Sequence, residues 1–321
     1  MNKKNLEPGV ILGDKILDSF SVFSPFIYDF PIPKGKEVQL FDLKFSSPLI
    51  GASFKSQTNI MAMWMRMGLG GAIYKTIMSK KRDGNPSPRL QDAIYKGQKG
   101  ILNSLGLPGQ GVDEFANGIT TSKLWSFDRP LGISVGGESH NEYIENLIKI
   151  DKAFKNIDKQ YFYELNISCP NTENGVTICQ EPENLESLLA SVRKITDAAI
   201  SIKVSPDVPD KKLLEIGEIA SFFEKIIINA GNTKLVKPED ANVDPNNFSM
   251  PAGGLSGLHV LKRTIEMVKL FSNFKNPIMA TGGISNISHV NAAKSAGASL
   301  YGMATSLVLD PYCIPRINSQ L

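Results

Sequence analysis

YFYELN (161–166) and ISIKV (200–204) are two short apolar runs, and the helical pattern ENLESLLASVRKITDAA (183–199) lies between them. Runs that are apolar at nearly every position are typical of parallel strands covered on both faces. The helix between them supplies the crossover connection that a parallel pair needs, and such crossovers are right-handed. This stretch therefore predicts an α/β protein built on a parallel sheet.

The same strand–helix–strand unit recurs along the chain. Eight such runs in alternation with helices predict a closed (β/α)8 TIM barrel rather than an open sheet. We expect an N-terminal arm at residues 1–40 and the barrel at 41–321, because one barrel with extensions accounts for 321 residues. The predicted strands are SSPLIGA (46–52), GGAIY (70–74), PLGISV (130–135), YFYELN (161–166), ISIKV (200–204), KIIIN (225–229), PIMAT (277–281) and ASLYG (298–302).

Composition excludes several classes of protein. Apolar residues make up 42% and charged residues 21% of the chain, which is typical of a globular domain. The net charge of +3 is too small to favour a nucleic-acid partner. The three cysteines, Cys169, Cys179 and Cys313, include no C-x₂-C pair, so we expect no zinc or iron–sulfur site. So few cysteines favour a reducing compartment, and we expect a cytoplasmic protein.

The N-terminal region shows neither a secretory signal nor a membrane span. No stretch of 18 or more apolar residues occurs in the chain. The aromatic and proline-rich segment SFSVFSPFIYDFPIP (19–33) has two interpretations. It is either an extended arm packed on the barrel or a surface for a partner or a membrane.

Three connections are long enough to suggest function. One runs from Lys75 to Arg129 and another from Asn229 to Gly257, and long loops within compact domains are usually functional. The third, TENGVTICQEP (172–182), contains Gly175 and is a candidate lid.

Polar residues close most of the predicted strands. In this fold the active site forms at the C-terminal ends of the strands, so these side chains should meet at one mouth. Gly282-Gly283 and Ala304-Thr305 follow the last two strands, where this fold usually binds phosphate. The polar strand ends are Lys75-Thr76, Ser134, Asn166, Lys203, Asn229, Thr281-Gly282-Gly283 and Ala304-Thr305.

The motif ELNISCPN (164–171) contains the most distinctive chemistry. Asn166 and Asn171 offer amide donors and acceptors that suit a ligand edge alternating N–H and C=O, as in a pyrimidine. Cys169 lies between them, and its position favours a reactive thiol over a buried apolar residue. Lys203 would place a cation in the barrel mouth, and a reduced flavin is one partner for it. The three histidines form no recognisable catalytic pair.

These motifs together resemble the dihydroorotate dehydrogenase family, and most closely its class 1 members. The resemblance extends from about Phe41 to Leu307. The motifs are IYKT (73–76), GNPSPR (84–89), ILNSLGLPGQG (101–111), ELNISCPNT (164–172), IKVSPD (202–207), IINAGNT (227–233), GGLSG (253–257), ATGGIS (280–285) and MATS (303–306). GGLSG is similar both to the class 1 form that pairs with an iron–sulfur flavoprotein and to the membrane-linked class 2.

The resemblance implies FMN-dependent oxidation of dihydroorotate to orotate in pyrimidine biosynthesis. Cys169 would take the proton from C5 while the flavin takes the hydride from C6. The implied substrate contacts are Lys75, Asn103, Ser104, Leu105, Gly106, Leu107, Asn166, Asn171, Asn229 and Ala230. The implied FMN contacts are Ser53, Lys75, Thr76, Ser134, Asn166, Lys203, Ile228, Gly257, Gly282, Gly283, Ala304 and Thr305.

The implied partners are less sharply defined. Fumarate, a quinone, or NAD through an iron–sulfur flavoprotein subunit could each be the electron acceptor, and a homodimer is expected. The chain departs from the family pattern at Ala230, Pro108-Gly109, Ser134 and Ala304, and its N-terminal arm is longer. Three alternatives stay open: an FMN barrel acting on another dihydropyrimidine such as dihydrouracil, a tRNA-uridine reductase, and a flavin-free barrel that binds a phosphorylated metabolite.

Overall fold

The computed structural model describes residues 5–20, 24–167 and 182–321. Cys169, Asn171, Cys179 and residues 172–181 of the candidate lid lie outside these ranges. The strands, in chain order, are β1 Val38–Leu40, β2 Leu43–Phe45, β3 Leu49–Gly51, β4 Gly71–Ile77, β5 Leu90–Tyr95, β6 Gln98–Asn103, β7 Leu131–Val135, β8 Tyr161–Leu165, β9 Ala199–Val204, β10 Ile226–Ala230, β11 Lys234–Val236, β12 Gly253–Gly257, β13 Ile278–Thr281 and β14 Leu300–Met303.

The helices follow the barrel strands or flank them. They are α1 Glu7–Phe20, α2 Ser24–Ile27, α3 Thr58–Arg66, α4 Val112–Ile119, α5 His140–Phe154, α6 Pro182–Arg193, α7 Asp210–Ser221, α8 Leu261–Phe271, α9 Ile287–Ala296, α10 Thr305–Leu309 and α11 Cys313–Asn318. Capping explains several boundaries. Ser139 accepts a hydrogen bond from Glu142 N before α5, Asn286 accepts one from His289 N before α9, and Gly297 ends α9 in the left-handed conformation.

The predicted barrel is confirmed. Strands β3, β4, β7, β8, β9, β10, β13 and β14 form a closed parallel barrel in chain order, and β14 pairs with β3. Each of the eight predicted runs overlaps one of these strands. Their outward side chains pack against the surrounding helices, because every strand is covered on both faces.

The base of the barrel is closed by the β1–β2 hairpin. Leu43 and Phe45 of β2 pack against inward side chains near the N-terminal ends of the barrel strands. The rings of Phe45 and Phe162 lie 6.1 Å apart. We call these inward residues the floor layer. Its members are Ile50, Ile73, Phe162, Ala199, Ile227, Met279 and Leu300.

The two long connections between Lys75 and Arg129 and between Asn229 and Gly257 form one structure that the sequence did not reveal. Strands β11, β12, β6 and β5 make an antiparallel sheet, in which β12 from the second connection pairs with β6 from the first. We call it the cap sheet. One face packs on its own small apolar cluster, and residues of the other face line the cavity described below.

The N-terminal extension is helical where an extended segment was expected. Helix α1 ends at Phe20 and α2 occupies Ser24–Ile27, whereas residues 28–33 are outside helices and strands, and there Tyr28 and Phe30 pack against Tyr312. Polar contacts fix α1 to the barrel, among them ion pairs from Asp14 to Lys55 and from Glu7 to Arg89. No helix in the described ranges is long and apolar enough to span a bilayer.

Candidate active site

A cavity of about 270 Å³ opens at the C-terminal ends of the barrel strands, under the cap sheet. Its volume is close to the lower end of the range typical of small-molecule sites, roughly 300–1,000 Å³. Thirteen of the residues expected at the site line it. They are Ser53, Lys75, Thr76, Asn103, Leu105, Leu107, Asn166, Lys203, Gly257, Gly282, Gly283, Ala304 and Thr305.

Other expected residues lie behind the cavity wall. Ser134 is fully buried and pairs with Thr76, and Asn229 is fully buried beside Lys203, its register partner on the neighbouring strand. Ile228 and Ala230 point outward into the apolar shell, so they could contact a ligand only through their backbone. Ser104 and Gly106 belong to the loop beside the cavity but do not line it.

Polar side chains occupy the barrel interior immediately above the floor layer. Side chains on a strand alternate between faces, so the residue two positions after each floor residue also points inward. On β8 this step leads from Phe162 to Glu164, and on β10 from Ile227 to Asn229. We call the buried polar residues reached in this way, together with Ser134 of β7, the polar layer. Its members are Ser134, Glu164, Ser201, Asn229 and Thr281.

A hydrogen-bonded chain connects the cavity to the polar layer. Lys203 Nζ donates to Ser53 Oγ at 3.1 Å, and Ser53 Oγ donates to Glu164 Oε1 at 2.5 Å. Asn229 Nδ2 donates to Glu164 Oε2 at 2.7 Å. The sequence analysis named a flavin as the partner for Lys203 and gave Glu164 no role. The structure places a fully buried carboxylate one hydroxyl away from this lysine.

Two amide oxygens at this site have no hydrogen-bond partner among the described residues. Asn166 uses its Nδ2 to reach Thr76 Oγ1 at 2.9 Å, and Asn229 uses its Nδ2 on Glu164. The Oδ1 atom of each is buried and unsatisfied. Burying a polar atom without a partner is costly, so these oxygens indicate a ligand that donates N–H groups.

The loop from Asn103 to Leu107 is fixed by its surroundings. Arg89 donates to the carbonyl oxygens of Asp83, Asn85 and Leu105 through one guanidinium nitrogen, at 2.6, 2.8 and 3.3 Å. Gly106 has φ +70°, and an added Cβ would lie 2.7 Å from Asn85, so only glycine suits this position. The loop is therefore held against the cavity, as a substrate-binding segment requires.

The opposite end of the cavity has the features of an anion site. Gly282 and Gly283 have φ of +140° and +75°, and a Cβ on Gly283 would lie 2.6 Å from Leu261 Cβ. Backbone N–H groups can approach an anion closely at such positions. Thr305 Oγ1 donates to Ser256 Oγ at 2.8 Å, which joins the last barrel turn to the cap sheet.

Lys99 is a cavity residue that the sequence analysis missed. It lies on β6, on the same face as Asn103 and four residues away, which corresponds to about 13 Å along a strand. Lys99 adjoins Gly257, whose added Cβ would lie 3.0 Å from the Lys99 carbonyl oxygen. Burial lowers the pKa of nearby His259, so at pH 7 its imidazole is neutral and Lys99 provides the positive charge. Lys99 reaches the cavity because the two long connections pair with each other, and the sequence does not show that pairing.

Cys313 is unsuited to act as a base. It is buried beyond the barrel, and burial raises the pKa of its thiol to about 11. A thiol with that pKa is almost entirely protonated at neutral pH, whereas the thiolate is the reactive form. Cys169 and Asn171, expected beside Asn166, lie outside the described residues.

Comparisons with known proteins agree on one family. Residues 36–321 match the family model described as dihydroorotate dehydrogenase. A relative from Malacoplasma penetrans, named dihydroorotate dehydrogenase B (NAD(+)), catalytic subunit, is 32% identical over 88% of this chain and 89% of its own length. A relative of the same name from Bacillus cereus strain G9842 is 31% identical over 89% and 90%.

Solved structures share the fold. The crystal structure of the Eimeria tenella enzyme DHODH in complex with ferulenol superposes with a TM-score of 0.76 at 20% identity, covering 95% of this chain and 89% of that one. The ligand-free form from the same organism gives a TM-score of 0.73, covering 95% and 93%.

Proposed function

Because the chain belongs to the dihydroorotate dehydrogenase family, we propose that it oxidises dihydroorotate to orotate with FMN as its flavin. The observation that supports this proposal most strongly is the position of Lys75 and Asn166 on one cavity, together with the unsatisfied amide oxygens of Asn166 and of Asn229 directly behind its wall. Dihydroorotate has one carboxylate and two ring N–H groups. A cation and two hydrogen-bond acceptors are the complement of that pattern.

The residues that line the cavity suit the parts of FMN. Lys203, Ser53 and Thr76 would contact the ring system, and Gly282, Gly283 and Thr305 the phosphate. Both positions require glycine, because their φ is positive and a Cβ would collide with Thr264 or Leu261, and a turn of this kind can direct backbone N–H groups at an anion. FMN, when bound, supplies the hydride acceptor for this reaction.

The residues around the substrate would bind and orient it. Lys75 would hold the carboxylate by a charge-assisted hydrogen bond, and Asn103, Asn166 and Asn229 the ring edges. Asn103 Nδ2 donates to Gly254 O of the cap sheet at 3.0 Å, and this bond fixes the direction of the Asn103 Oδ1 acceptor. Asn171 belongs to this group by the family motif.

Cys169 is the proposed base that removes the proton from C5. The support is its place in ELNISCPN directly after β8, together with the exclusion of Cys313 by burial. An unperturbed thiol has a pKa of about 8.5, so activity should rise with pH unless the site favours the thiolate. A positioned base contributes typically about 10²–10⁴-fold.

The nearest alternative substrate is another dihydropyrimidine such as dihydrouracil, which has the ring N–H groups but no carboxylate. Lys75 favours dihydroorotate, because its ammonium can form a charge-assisted hydrogen bond with the carboxylate that dihydrouracil lacks.

The test is anaerobic mixing of the purified, flavin-loaded protein with each dihydropyrimidine. Dihydroorotate should bleach the flavin absorbance, whereas dihydrouracil should leave it unchanged. Lys75→Ala should weaken dihydroorotate binding about tenfold to a hundredfold, the loss of a charge-assisted bond worth roughly 1.5–3 kcal/mol. Lys44→Ala, on an exposed position of β2, is the matched control. Equal bleaching by both compounds would contradict the substrate assignment.

The electron acceptor is proposed from the relatives. Their printed name contains NAD(+) and the words catalytic subunit, which implies a second, electron-transferring subunit. We propose NAD reduction through an iron–sulfur flavoprotein partner for this chain, and assembly of the chain as a homodimer. With the isolated chain, the reduction of NAD, of fumarate and of a quinone should each be slower than the reduction of the bound flavin by dihydroorotate. Rapid turnover with fumarate or a quinone alone would contradict the partner requirement.

A further inference from the structure

We propose that Glu164 is a positioning residue that fixes the amide of Asn229 and balances the charge of Lys203 beneath the flavin. This inference extends the proposed function, because it assigns a role to a buried group that the reaction itself does not use. Glu164 is fully buried in the barrel interior and does not line the cavity. A buried carboxylate is costly unless it is paired and hydrogen-bonded, so its surroundings should explain it.

The first role follows from hydrogen-bond chemistry. A carboxylate only accepts hydrogen bonds, so the Asn229 group that faces it at 2.7 Å must be the NH₂. The Oδ1 atom of Asn229 is then turned away from Glu164 and has no partner within the described part of the chain. Glu164 therefore sets Asn229 as an acceptor, which selects a ligand N–H over a ligand C=O.

The second role follows from the direction of the hydrogen bonds that link Lys203 to Glu164. The Lys203 ammonium donates to Ser53, and the Ser53 hydroxyl donates to Glu164. Ser53 and Lys203 line the cavity, so the carboxylate lies one hydroxyl behind its wall. A negative charge at this depth opposes the charge that a flavin gains on reduction, and it partly offsets the stabilisation given by Lys203.

The two roles predict different responses to two substitutions. Glu164→Gln keeps the shape of the side chain but removes the charge, and its amide can also present an N–H to Asn229. Glu164→Asp keeps the charge but shortens the side chain, so it should lose the bond to Asn229. Charge and positioning can therefore be measured separately on flavin-loaded protein.

The experiment measures the midpoint potential of bound FMN and the dissociation constant of orotate. Glu164→Gln should make the potential more positive by at least a tenfold change in the reduction equilibrium, about 30 mV for a two-electron couple. It should also weaken orotate binding about tenfold, because Asn229 is no longer held with its oxygen toward the ligand. Glu164→Asp should leave the potential near the wild-type value and weaken orotate binding by a similar factor.

The matched control is Asp151→Asn. The Asp151 carboxylate accepts a hydrogen bond from the hydroxyl of Tyr163. Tyr163 precedes Glu164 on β8, but its side chain points toward the helices and not into the barrel. Asp151→Asn should change neither quantity. If both Glu164 variants behave like Asp151→Asn, the inference is overturned. If Glu164→Gln does not fold, unchanged orotate binding in Glu164→Asp overturns it instead.

The outcomes also separate this inference from the proposed function. A wild-type flavin that dihydroorotate fails to reduce would contradict the proposed substrate. A positive shift of the potential in Glu164→Gln would support the role of Glu164 even then, because the measurement uses a chemical reductant.

Discussion

The floor layer and the polar layer lie on the same strands, two residues apart, and they have opposite chemistry. Ile227 and Phe162 are buried against other apolar side chains, whereas Asn229 and Glu164 on the same strands are equally buried among polar groups. Burial of apolar area stabilises a fold, and burial of polar groups costs stability unless each is satisfied. The comparison teaches that apolar burial stabilises the barrel at one level, whereas the next level holds buried polar groups directly behind the cavity.

Buried polar atoms that lack hydrogen-bond partners sharpen the contrast between the floor layer and the polar layer. Ser201 Oγ, Thr281 Oγ1 and Asn229 Oδ1 in the polar layer lack hydrogen-bond partners among the residues the structure describes. A layer selected only for stability would not contain them, since apolar side chains of similar size would fit better. Their presence indicates a site that is completed by a ligand. The predictions below test this division, beginning with the largest expected effect.

Loss of the proposed base should have the largest effect. Cys169→Ala should slow flavin reduction by dihydroorotate about 10²–10⁴-fold while the protein keeps its flavin. Cys169→Ser should retain part of the activity with its optimum shifted to higher pH, because a hydroxyl loses its proton less readily than a thiol. Stopped-flow absorbance across pH measures both. The control is Cys313→Ala, and rapid, pH-independent bleaching in Cys169→Ala would contradict the mechanism.

Truncation in the floor layer should mainly affect stability. Phe162→Ala removes a fully buried ring that packs on Phe45, and it should lower the free energy of unfolding by about 3–5 kcal/mol. Urea unfolding of the flavin-free protein measures this change. Phe26→Ala is the control, because that side chain is 88% exposed and its loss should change stability little. Equal midpoints for the two variants would refute the stabilising role of the floor.

The anion end of the cavity should depend on charge. Lys99→Ala should weaken FMN binding about tenfold and leave riboflavin binding unchanged, because only FMN has the phosphate. Fluorescence titration of the apoprotein with each flavin separates the two outcomes. The matched control is Lys96→Ala. Lys96 lies on the hairpin turn between β5 and β6, and its ammonium lies over the ring of Tyr95. A parallel loss of riboflavin affinity in Lys99→Ala would show that this lysine acts elsewhere.

The smallest effect is expected within the polar layer itself. Ser201→Ala removes a buried hydroxyl that has no partner, so the free energy of unfolding should stay unchanged or rise by up to about 1 kcal/mol. Thermal or urea unfolding of the apoprotein checks it. A loss of more than about 1 kcal/mol would mean that the hydroxyl is satisfied in solution.

Sequence reasoning reached the barrel and much of the site for a physical reason. All eight barrel strands were predicted because each is buried on both faces and reads as an apolar run, and the strand ends carry the polar residues. Lys75, Asn166 and Lys203 were found in this way, and the structure places them on one cavity.

The parts that sequence reasoning missed depend on contacts between distant segments. The cap sheet pairs residues about 150 positions apart, such as Asn103 with Gly254, so Lys99 could not be assigned to the cavity. Glu164 lies in a quoted motif, yet its partners Ser53 and Asn229 come from other strands. Helix α1 was missed because its apolar residues are mostly exposed and give no core-facing pattern.

The most direct test of the account is the rate at which dihydroorotate reduces bound flavin in two variants of strand β10. Both are measured anaerobically by stopped flow with saturating FMN. Asn229→Ala should slow the reduction at least about tenfold, and it should destabilise the apoprotein by about 1–3 kcal/mol because the buried Glu164 loses a hydrogen bond. Ile227→Ala should unfold about 2–5 kcal/mol more easily and reduce its flavin at the wild-type rate. Equal rates in the two variants would contradict the claim that Asn229 of the polar layer orients dihydroorotate.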